Sequence, residues 1–332
     1  MQQSETCLVV GSNSFSGASF VDHLLEQGYS VIGCSRSPQP HPAFLPYAWA
    51  PRRGTFRFIR CDLNRDIDAL MEVIHQERPA FVVNFAAQSM VAESWQDPER
   101  WFMTNVVATV RLHERLRRCD FLRKYVHVST PEVYGSTSGT VDETAALNPS
   151  TPYAVSRAAA DMSLRTFFAA YAFPAVITRS ANVFGPGQRL YRIVPQSILS
   201  VALGRRLPLH GGGLSERSFI HVRDLADATA RIMRGGVPGE VYHIATSRVI
   251  SIRDLVGTIC ARMGARFEDC VEVADERQGK DAAYRLDSGK LRAQLGWEDR
   301  ISLEQGIDET IAWVGHWLDD LKQQPLDYVH KP

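Results

Sequence analysis

The chain of 332 residues predicts an α/β fold in which a parallel sheet is covered by helices on both faces. Short apolar runs alternate with helical patterns across the first half of the chain, as they do in βαβ units. Each run is continuously apolar, which is typical of strands buried on both sides. The predicted strands cover residues 7–10, 29–34, 56–59, 81–85, 125–128 and 175–178, and the predicted helices cover residues 15–27, 66–76, 98–118 and 152–171.

The pattern becomes irregular after Phe184, where Gly and Pro are frequent. We therefore predict two domains. Residues 1–182, with a return near residues 220–246, form the main sheet, and residues 183–219 and 247–332 form a smaller, mostly C-terminal α/β domain. The fourth predicted helix has a plausible N-cap in Thr151 and a proline, Pro152, at its first position. Residues 39–54 are rich in Pro and Arg and are expected to form a long loop.

Composition excludes several classes of protein. Lys+Arg and Asp+Glu both count 37, so the chain lacks the basic excess of nucleic-acid binders. No apolar stretch approaches the ~20 residues that span a membrane, and the N-terminus lacks a signal-peptide pattern. The six cysteines are widely spread without a CxxC pair, which indicates neither a metal site nor a disulfide framework. We expect reduced thiols in a cytoplasmic protein.

A phosphate-binding turn is predicted between the first strand and the first helix, at residues 11–17 (GSNSFSG). Small residues there let the backbone turn tightly and bring amide groups and a helix N-terminus to a pyrophosphate. This predicts a Rossmann-type, doubly wound sheet that binds a dinucleotide. Ser14 stands where the usual pattern has glycine, and its hydroxyl can donate a hydrogen bond to a phosphate.

The end of the second strand selects between the two nicotinamide dinucleotides. An acidic residue there binds the 2′-hydroxyl of NAD, whereas an arginine suits the 2′-phosphate of NADP. This chain has Ser35, Arg36 and Ser37, with no acidic residue nearby, so NADP is favoured and NAD is the alternative. Asp62 and Leu63, after the third strand, are placed to approach the adenine.

A catalytic group is predicted around Tyr153. Arg157 lies four residues further on the same helix face, where its charge favours a phenolate and lowers the tyrosine pKa from about 10. A phenolate can take a proton from a sugar hydroxyl as hydride leaves the carbon. Thr130 follows the fifth strand at the carboxyl edge of the sheet, where such folds bind ligands, and Glu132 is a candidate second base.

These motifs resemble the extended short-chain dehydrogenase/reductases, and within them the nucleotide-sugar 4,6-dehydratases. The resemblance runs from about residue 8 to residue 313. Its most specific segments are residues 129–135 (STPEVYG), 152–157 (PYAVSR), 179–186 (RSANVFGP), 277–284 (RQGKDAAY) and 295–297 (LGW), with a weaker match at residues 86–91 (AAQSMV).

The resemblance implies a lyase that converts a nucleotide-linked hexose to its 4-keto-6-deoxy product. Tyr153 would take the proton of the sugar 4-hydroxyl, Thr130 would hydrogen-bond that oxygen, and Glu132 would take the proton at C5 before water leaves C6. The resemblance also implies residues that bind each ligand. For the cofactor these are Gly11, Asn13, Ser14, Phe15, Ser16, Gly17, Ser35, Arg36, Asp62, Leu63, Ala86, Ala87, Asn105 and Ser129. For the nucleotide sugar they are Gln88, Ser89, Asn182, Arg189, Val194, Arg217, Arg277 and Tyr284.

Two residues depart from the family pattern. Arg157 replaces the usual lysine; it is also cationic but larger and planar. Pro131 replaces the aspartate or serine of relatives, and a proline cannot protonate the leaving hydroxyl. A sugar-nucleotide epimerase, a decarboxylase and a catalytically silent NADP-binding module therefore stay open as alternatives. Relatives also pair through the helices matching residues 98–118 and 152–171, which implies a homodimer built on a four-helix bundle.

Overall fold

A computed structural model describes residues 5–137, 139–275 and 285–328. The first half contains β1 (Thr6–Val10), α1 (Phe15–Glu26), β2 (Ser30–Ser35), β3 (Thr55–Arg60), α2 (Ile67–Glu77), β4 (Phe81–Asn84), α3 (Pro98–Phe102), α4 (Thr109–Leu116), β5 (Lys124–Val128), β6 (Thr140–Val141), α5 (Pro152–Tyr171) and β7 (Ala175–Ser180). Each predicted strand and helix of this half is present, with ends shifted by one or two residues. A π-helical segment, Met103–Ala108, joins α3 to α4 within the helix predicted at residues 98–118.

The second half contains β8 (Asn182–Phe184), α6 (Ile193–Ala202), β9 (Leu207–His210), β10 (Glu216–His221), α7 (Val222–Gly235), β11 (Val241–Ile244), β12 (Val249–Ser251), α8 (Ile252–Arg262), α9 (Phe267–Cys270), β13 (Val271–Ala274), β14 (Arg285–Leu286), α10 (Gly289–Leu295), α11 (Leu303–His316) and α12 (Leu318–Leu321). Strand β11 returns to the main sheet, where it pairs with β7. The division of the chain into the two predicted domains stays a prediction.

The main sheet confirms the predicted fold class. Among the described residues it has seven parallel strands in the order β11-β7-β5-β4-β1-β2-β3. One face packs on α1 and α7 and the other on α2, α4 and α5, so both faces are covered. The strand order reverses between β1 and β4, and ligands bind such sheets in the crevice outside the carboxyl ends of the strands at that point.

A third apolar cluster lies outside the main sheet. Residues of α6, α8 and α11 pack together there with Phe184. Ala43 and Phe44, from the loop predicted at residues 39–54, are buried in the same cluster, and the Trp313 indole donates to the Ala43 carbonyl at 2.9 Å. The loop is therefore anchored to this third cluster. Within the described parts of the chain, no helix combines the length and apolar character needed to cross a membrane.

Candidate active site

The turn after β1 can be built only with glycine at two positions. Gly11 has φ of +83°, and a Cβ there would lie 2.6 Å from the Ala86 backbone nitrogen. A Cβ on Gly17 would lie 2.3 Å from the Gly11 carbonyl oxygen. Both distances are far below van der Waals contact, so these glycines let the turn, the first helix and the end of β4 approach closely.

The position of Ser14 explains why a serine stands where the usual pattern has glycine. It is the N-cap of α1: its Oγ accepts a hydrogen bond from the Gly17 amide at 3.1 Å and donates one to the Gly11 carbonyl at 2.7 Å. The hydroxyl thus holds the turn together from inside. The amides of Phe15 and Ser16 lie in the first helical turn, which is where anions bind helices.

A cavity of about 620 Å³ opens beside this turn, and we call it the cofactor cavity. It is lined by most residues predicted to bind the dinucleotide: Gly11, Asn13, Ser14, Ser35, Arg36, Asp62, Leu63, Ala86 and Ala87. The glycine cradle and the helix N-terminus at its floor suit a dinucleotide pyrophosphate. Gln88, predicted to bind substrate, lines this cavity too.

Gln88 and Asn105 form the wall of the cofactor cavity near Arg36. The Gln88 side-chain oxygen, when it faces Arg36, accepts hydrogen bonds from both guanidinium nitrogens at 3.1 and 3.3 Å. The buried Asn105 holds the Gln88 backbone through hydrogen bonds of 2.8 and 3.0 Å, and donates to Ser156 at 2.9 Å. Asn105 lies in the π-helical segment, and π-bulges are frequent at functional sites. It does not line the cavity, so its place in the structure is that of a support.

A second cavity, of about 760 Å³, lies on the other side of the phosphate turn, and we call it the substrate cavity. The predicted residues that line it are Asn13, Ser14, Phe15, Ser16, Ala87, Ser89, Ser129, Thr130, Glu132, Tyr153, Arg157, Asn182, Arg189, Val194 and Arg217. Seven residues line both cavities and so separate them, among them Asn13 and Arg189. Gly17 and Asn105 line neither, and Arg277 and Tyr284 lie outside the described residues.

Tyr153 is buried at the N-terminal turn of α5, beside Thr130 and Glu132. The helix begins as predicted, with the Thr151 hydroxyl accepting from the Ala154 amide at 3.1 Å and Pro152 following the cap. Burial raises the pKa of Tyr153 to about 12, and the Glu132 charge adds to the rise, whereas the Arg157 charge and a hydrogen bond with Thr130 act to lower it. The lowering predicted from Arg157 is therefore present but is outweighed by burial, and the phenol is protonated at neutral pH.

Arg157 is fully buried and anchored at the end of β5. Its guanidinium donates to the Val128 carbonyl and lies 3.3 Å from the His127 ring nitrogen. Burial and the Arg157 charge hold the pKa of His127 well below its usual range, so the ring is neutral and can accept. The guanidinium still lines the substrate cavity and acts on Tyr153 through its charge.

Behind these groups lies a buried polar network that sequence reasoning did not identify. Asp161 accepts hydrogen bonds from Ser129 at 2.8 Å and from Arg179 at 2.8 Å, and its other oxygen lies 3.6 Å from His127. Asp161 follows Arg157 by one helical turn, as Arg157 follows Tyr153. That spacing of four residues was a usable signal for the shared face.

Pro131 begins a short helical turn that presents Glu132 to the cavity. Thr130 caps the turn and accepts from the Glu132 amide at 3.4 Å, and the turn covers Pro131–Tyr134. A proline suits the first position because its fixed φ matches and its missing N–H is not needed. The residue that replaces the family acid therefore stabilises the turn and leaves Glu132 as the carboxylate beside Tyr153.

The fold and the site together define a class of protein. A doubly wound sheet with a glycine-built phosphate turn, and a tyrosine with a cation four residues later facing the adjoining cavity, is the arrangement of an extended short-chain dehydrogenase/reductase. The family model that matches this chain, over residues 8–310, is that of GDP-mannose 4,6-dehydratase. The chain belongs to this family, which confirms the resemblance inferred from its motifs.

Known relatives agree with this placement. The dTDP-glucose 4,6-dehydratase of Streptomyces antibioticus is 34% identical over 340 residues, covering 98% of both chains. Among solved structures, the dTDP-glucose 4,6-dehydratase DesIV of Streptomyces venezuelae, with NAD bound, has a TM-score of 0.85 at 31% identity, covering 95% of this chain and 99% of that one. The UDP-glucuronic acid 4-epimerase of Bacillus cereus, also with NAD, has a TM-score of 0.83 at 25% identity, covering 94% and 99%. The fold is thus shared with enzymes that use a nicotinamide cofactor for two different outcomes.

Proposed function

We propose that this protein is a nucleotide-sugar 4,6-dehydratase that converts a nucleoside-diphosphate hexose to its 4-keto-6-deoxy derivative. The observation that carries the proposal is Glu132, a carboxylate in the substrate cavity that is close enough to Tyr153 for its charge to raise the tyrosine pKa. Oxidation at C4 needs only the tyrosine, whereas elimination also needs a base at C5. The dehydratase relatives of 30–34% identity support the same choice.

Each residue has a distinct task in this reaction. When bound, the nicotinamide supplies a reversible hydride acceptor. Tyr153 takes the proton from the 4-hydroxyl, Thr130 hydrogen-bonds the same oxygen, and Arg157 stabilises the phenolate through its charge. Glu132 then takes the C5 proton, which the neighbouring 4-keto group has made acidic, and passes it to the leaving oxygen at C6. Water leaves and Glu132 is ionised again, so Pro131 need not act as an acid. The hydride held by the bound nicotinamide would then be returned to C6, a solvent proton would be added at C5 through Glu132, and Tyr153 would release its proton, which completes the 4-keto-6-deoxy product.

The remaining lining of the substrate cavity supports a nucleoside diphosphate as the part of the substrate that anchors the hexose. Arg217 and Asn182 belong to the neighbouring strands β10 and β8, at one side of the cavity. A guanidinium is suited to bidentate recognition of phosphate oxygens. We assign these two residues to the substrate diphosphate; Arg277 and Tyr284 remain predictions from the resemblance.

A 4-epimerase is the second candidate, because Pro131 removes the acid of the dehydratases and the solved relatives include 4-epimerases. Purified protein incubated with dTDP-, UDP-, GDP- and CDP-hexoses separates the two by mass spectrometry. Loss of one water without added reductant supports dehydration. Unchanged mass with an altered sugar NMR spectrum indicates epimerisation, and loss of carbon dioxide from a glycuronate indicates decarboxylation. Cofactor binding without any sugar reaction would favour the silent module.

We propose NADP as the cofactor, with NAD as the alternative found in solved relatives. Arg36 supports NADP because it directly follows β2 and lines the cofactor cavity. At the end of this strand there is no acidic residue to bind the ribose 2′-hydroxyl of NAD. Arg36→Ser is expected to raise the Kd of NADPH by at least about tenfold, since hydrogen bonds to charged groups are strong, and to leave that of NADH nearly unchanged. Fluorescence titration of both reduced cofactors measures this.

Arg57→Ser is the matched control for the cofactor prediction, because Arg57 lies on the adjacent strand β3 and pairs with Glu77 at 2.9 Å outside the cavity. It should change neither Kd. Tighter binding of NADH than of NADPH to the unchanged protein would assign the cofactor as NAD and contradict the role given to Arg36.

We propose a homodimer in which α5 and the continuous helical segment from α3 to α4 pair with the same helices of a second copy. Large apolar side chains are exposed along these helices: Phe102, Met103, Val155, Met162, Phe168 and Tyr171, with Trp95 nearby. A stripe of this size on helices is expected to be covered. We also propose a cytoplasmic location. The six free thiols support it, because cysteines stay reduced in that compartment.

Met162→Lys should separate the proposed dimer. Met162 is 58% exposed in the single chain, and a lysine there would place a charge inside the interface. We expect the dimer dissociation constant to rise by at least about 100-fold, measured by sedimentation velocity. Val237→Lys is the control, because Val237 is 52% exposed on the loop after α7, away from these helices. A wild-type protein that is monomeric at all concentrations would contradict the dimer.

A further inference from the structure

Arg189 lies between the two cavities and lines both of them. It follows β8, on the loop that leads to α6 in the smaller domain, yet its side chain crosses to the phosphate turn of the main sheet. There its guanidinium donates a hydrogen bond to the Asn13 carbonyl at 3.2 Å. Its carbon atom lies 4.6 Å from the centre of the Phe44 ring, so one face of the guanidinium is covered. Arg189 is one of the residues that line both cavities.

Within the described parts of the chain, no carboxylate forms an ion pair with Arg189, although exposed arginines elsewhere, such as Arg248 and Arg262, do form such pairs. Burial lowers the pKa of Arg189. A half-buried cation with no carboxylate is costly unless an anion accompanies it in the working state. The contact that orients it points to the phosphate turn.

The Asn13 backbone that Arg189 contacts is itself held rigidly. The Asn13 amide donates to Ser35 at 3.0 Å, and its side chain donates to the Ser37 carbonyl at 2.8 Å. The carbonyl that accepts from Arg189 therefore has a fixed place, one residue before the N-cap of α1. A pyrophosphate bound at that helix N-terminus would lie beside the Arg189 guanidinium, because both sit at the same turn.

We infer that Arg189 binds the pyrophosphate of the dinucleotide cofactor, so that the smaller domain supplies a charged ligand to the cofactor site of the larger one. The inference deepens the proposed function and rests on its use of a nicotinamide dinucleotide. It differs from the expectation drawn from the resemblance, in which Arg189 contacts the diphosphate of the substrate. Arg217, at the far side of the substrate cavity, is left for that diphosphate.

Ligand binding to Arg189→Met tests the inference without relying on turnover. Methionine keeps an unbranched apolar stem against Phe44 and removes the charge. The probes are ADP-ribose, which carries the cofactor pyrophosphate without the nicotinamide, and the nucleoside diphosphates dTDP and UDP, which carry only the substrate diphosphate. Calorimetric titration of cofactor-free protein should show a Kd for ADP-ribose raised by at least about tenfold, with the Kd of the nucleoside diphosphate changed less than about twofold.

Two further variants make the result decisive. Arg217→Met is the matched control and should show the opposite pattern, with weaker nucleoside diphosphate binding and unchanged ADP-ribose binding. Arg189→Lys keeps a charge without the planar fork and should recover part of the ADP-ribose affinity. Thermal unfolding midpoints within about 3 °C of the unchanged protein exclude a general loss of structure.

An unchanged Kd for ADP-ribose in Arg189→Met, or an equal or larger loss for the nucleoside diphosphates, would overturn the inference and return Arg189 to the substrate. A failure of the proposed function looks different. In that case the unchanged protein would bind ADP-ribose but none of the nucleoside diphosphates, and the effect of Arg189→Met on ADP-ribose would still decide this question.

Discussion

Tyr153→Phe is expected to lower kcat by about 10²–10⁴-fold, because it removes the group that takes the proton of the sugar 4-hydroxyl. The ring of Tyr153 is buried, and the variant keeps that ring and loses only the hydroxyl, so the packing of α5 should persist. Nucleotide-sugar affinity should change less than about threefold, since the hydroxyl contributes one hydrogen bond to binding. Single-turnover absorbance at 340 nm measures the oxidation step directly.

The control for this prediction is Tyr242→Phe. Tyr242 is also fully buried, but its hydroxyl accepts from the Val237 amide and donates to Gln294, both at 3.0 Å and away from the cavities. It should lose stability by about 1 kcal/mol and keep its kcat. If Tyr153→Phe oxidises substrate at the unchanged rate, another group is the base.

The pH dependence of the oxidation step is a second test of Tyr153 as the base. Burial and the Glu132 charge raise the pKa of Tyr153 to about 12, so the active phenolate is the minor form at neutral pH. The rate should rise about tenfold per pH unit until the apparent pKa of the ligand-bound enzyme is reached. Tyr153→Phe should lose this rise, whereas Tyr242→Phe should retain it.

The sheet and the start of α5 could be predicted because their signals are local. A continuous apolar strand needs no knowledge of its neighbours, and the Thr151 cap with Pro152 acts within one helical turn. The loop at residues 39–54 could not be understood in this way. Its anchoring depends on Phe44 and Trp313, which are far apart in the chain and meet only in the folded structure.

The candidate site shows the same limit. The spacing of Tyr153 and Arg157 places them on one face, but the anchoring of Arg157 by the Val128 carbonyl and His127 depends on how α5 packs against β5. Ser14 is predicted near a phosphate and does line the cofactor cavity, but the sequence does not show that its hydroxyl bonds Gly11 and Gly17 of its own turn. In each case the residue type was informative, whereas its partner was set by tertiary packing.

Glu132→Gln is expected to separate oxidation from elimination. The amide keeps the size of the side chain but cannot take the C5 proton, so water loss should fall by about 10²–10⁴-fold while the nucleotide sugar still binds and is still oxidised at C4. The 4-keto hexose should accumulate, and rapid quenching followed by borodeuteride reduction and mass spectrometry would detect it. In D₂O the unchanged enzyme should place deuterium at C5, and the variant should not.

The same substitution has a second effect that a merely structural role would not produce. The Glu132 charge helps to raise the pKa of Tyr153, so removing that charge should lower the tyrosine pKa. The pH profile of the oxidation step should therefore move to lower pH in Glu132→Gln, making oxidation at neutral pH as fast as or faster than in the unchanged enzyme. Glu240→Gln is the control, because Glu240 pairs with Lys290 outside both cavities, and it should alter neither step.

Pro131 makes Glu132→Gln the sharpest test of the proposed reaction. Since a proline holds the place of the family acid, the proposed reaction has one carboxylate both take the C5 proton and return it to the oxygen that leaves C6. Losing that carboxylate should thus remove both proton transfers at once. An added small acid that protonates only the leaving oxygen should not restore elimination, because the C5 proton would still have no base. Full dehydration by Glu132→Gln would assign the C5 proton to another base, whereas normal epimerisation by the same variant would show that elimination is not the reaction.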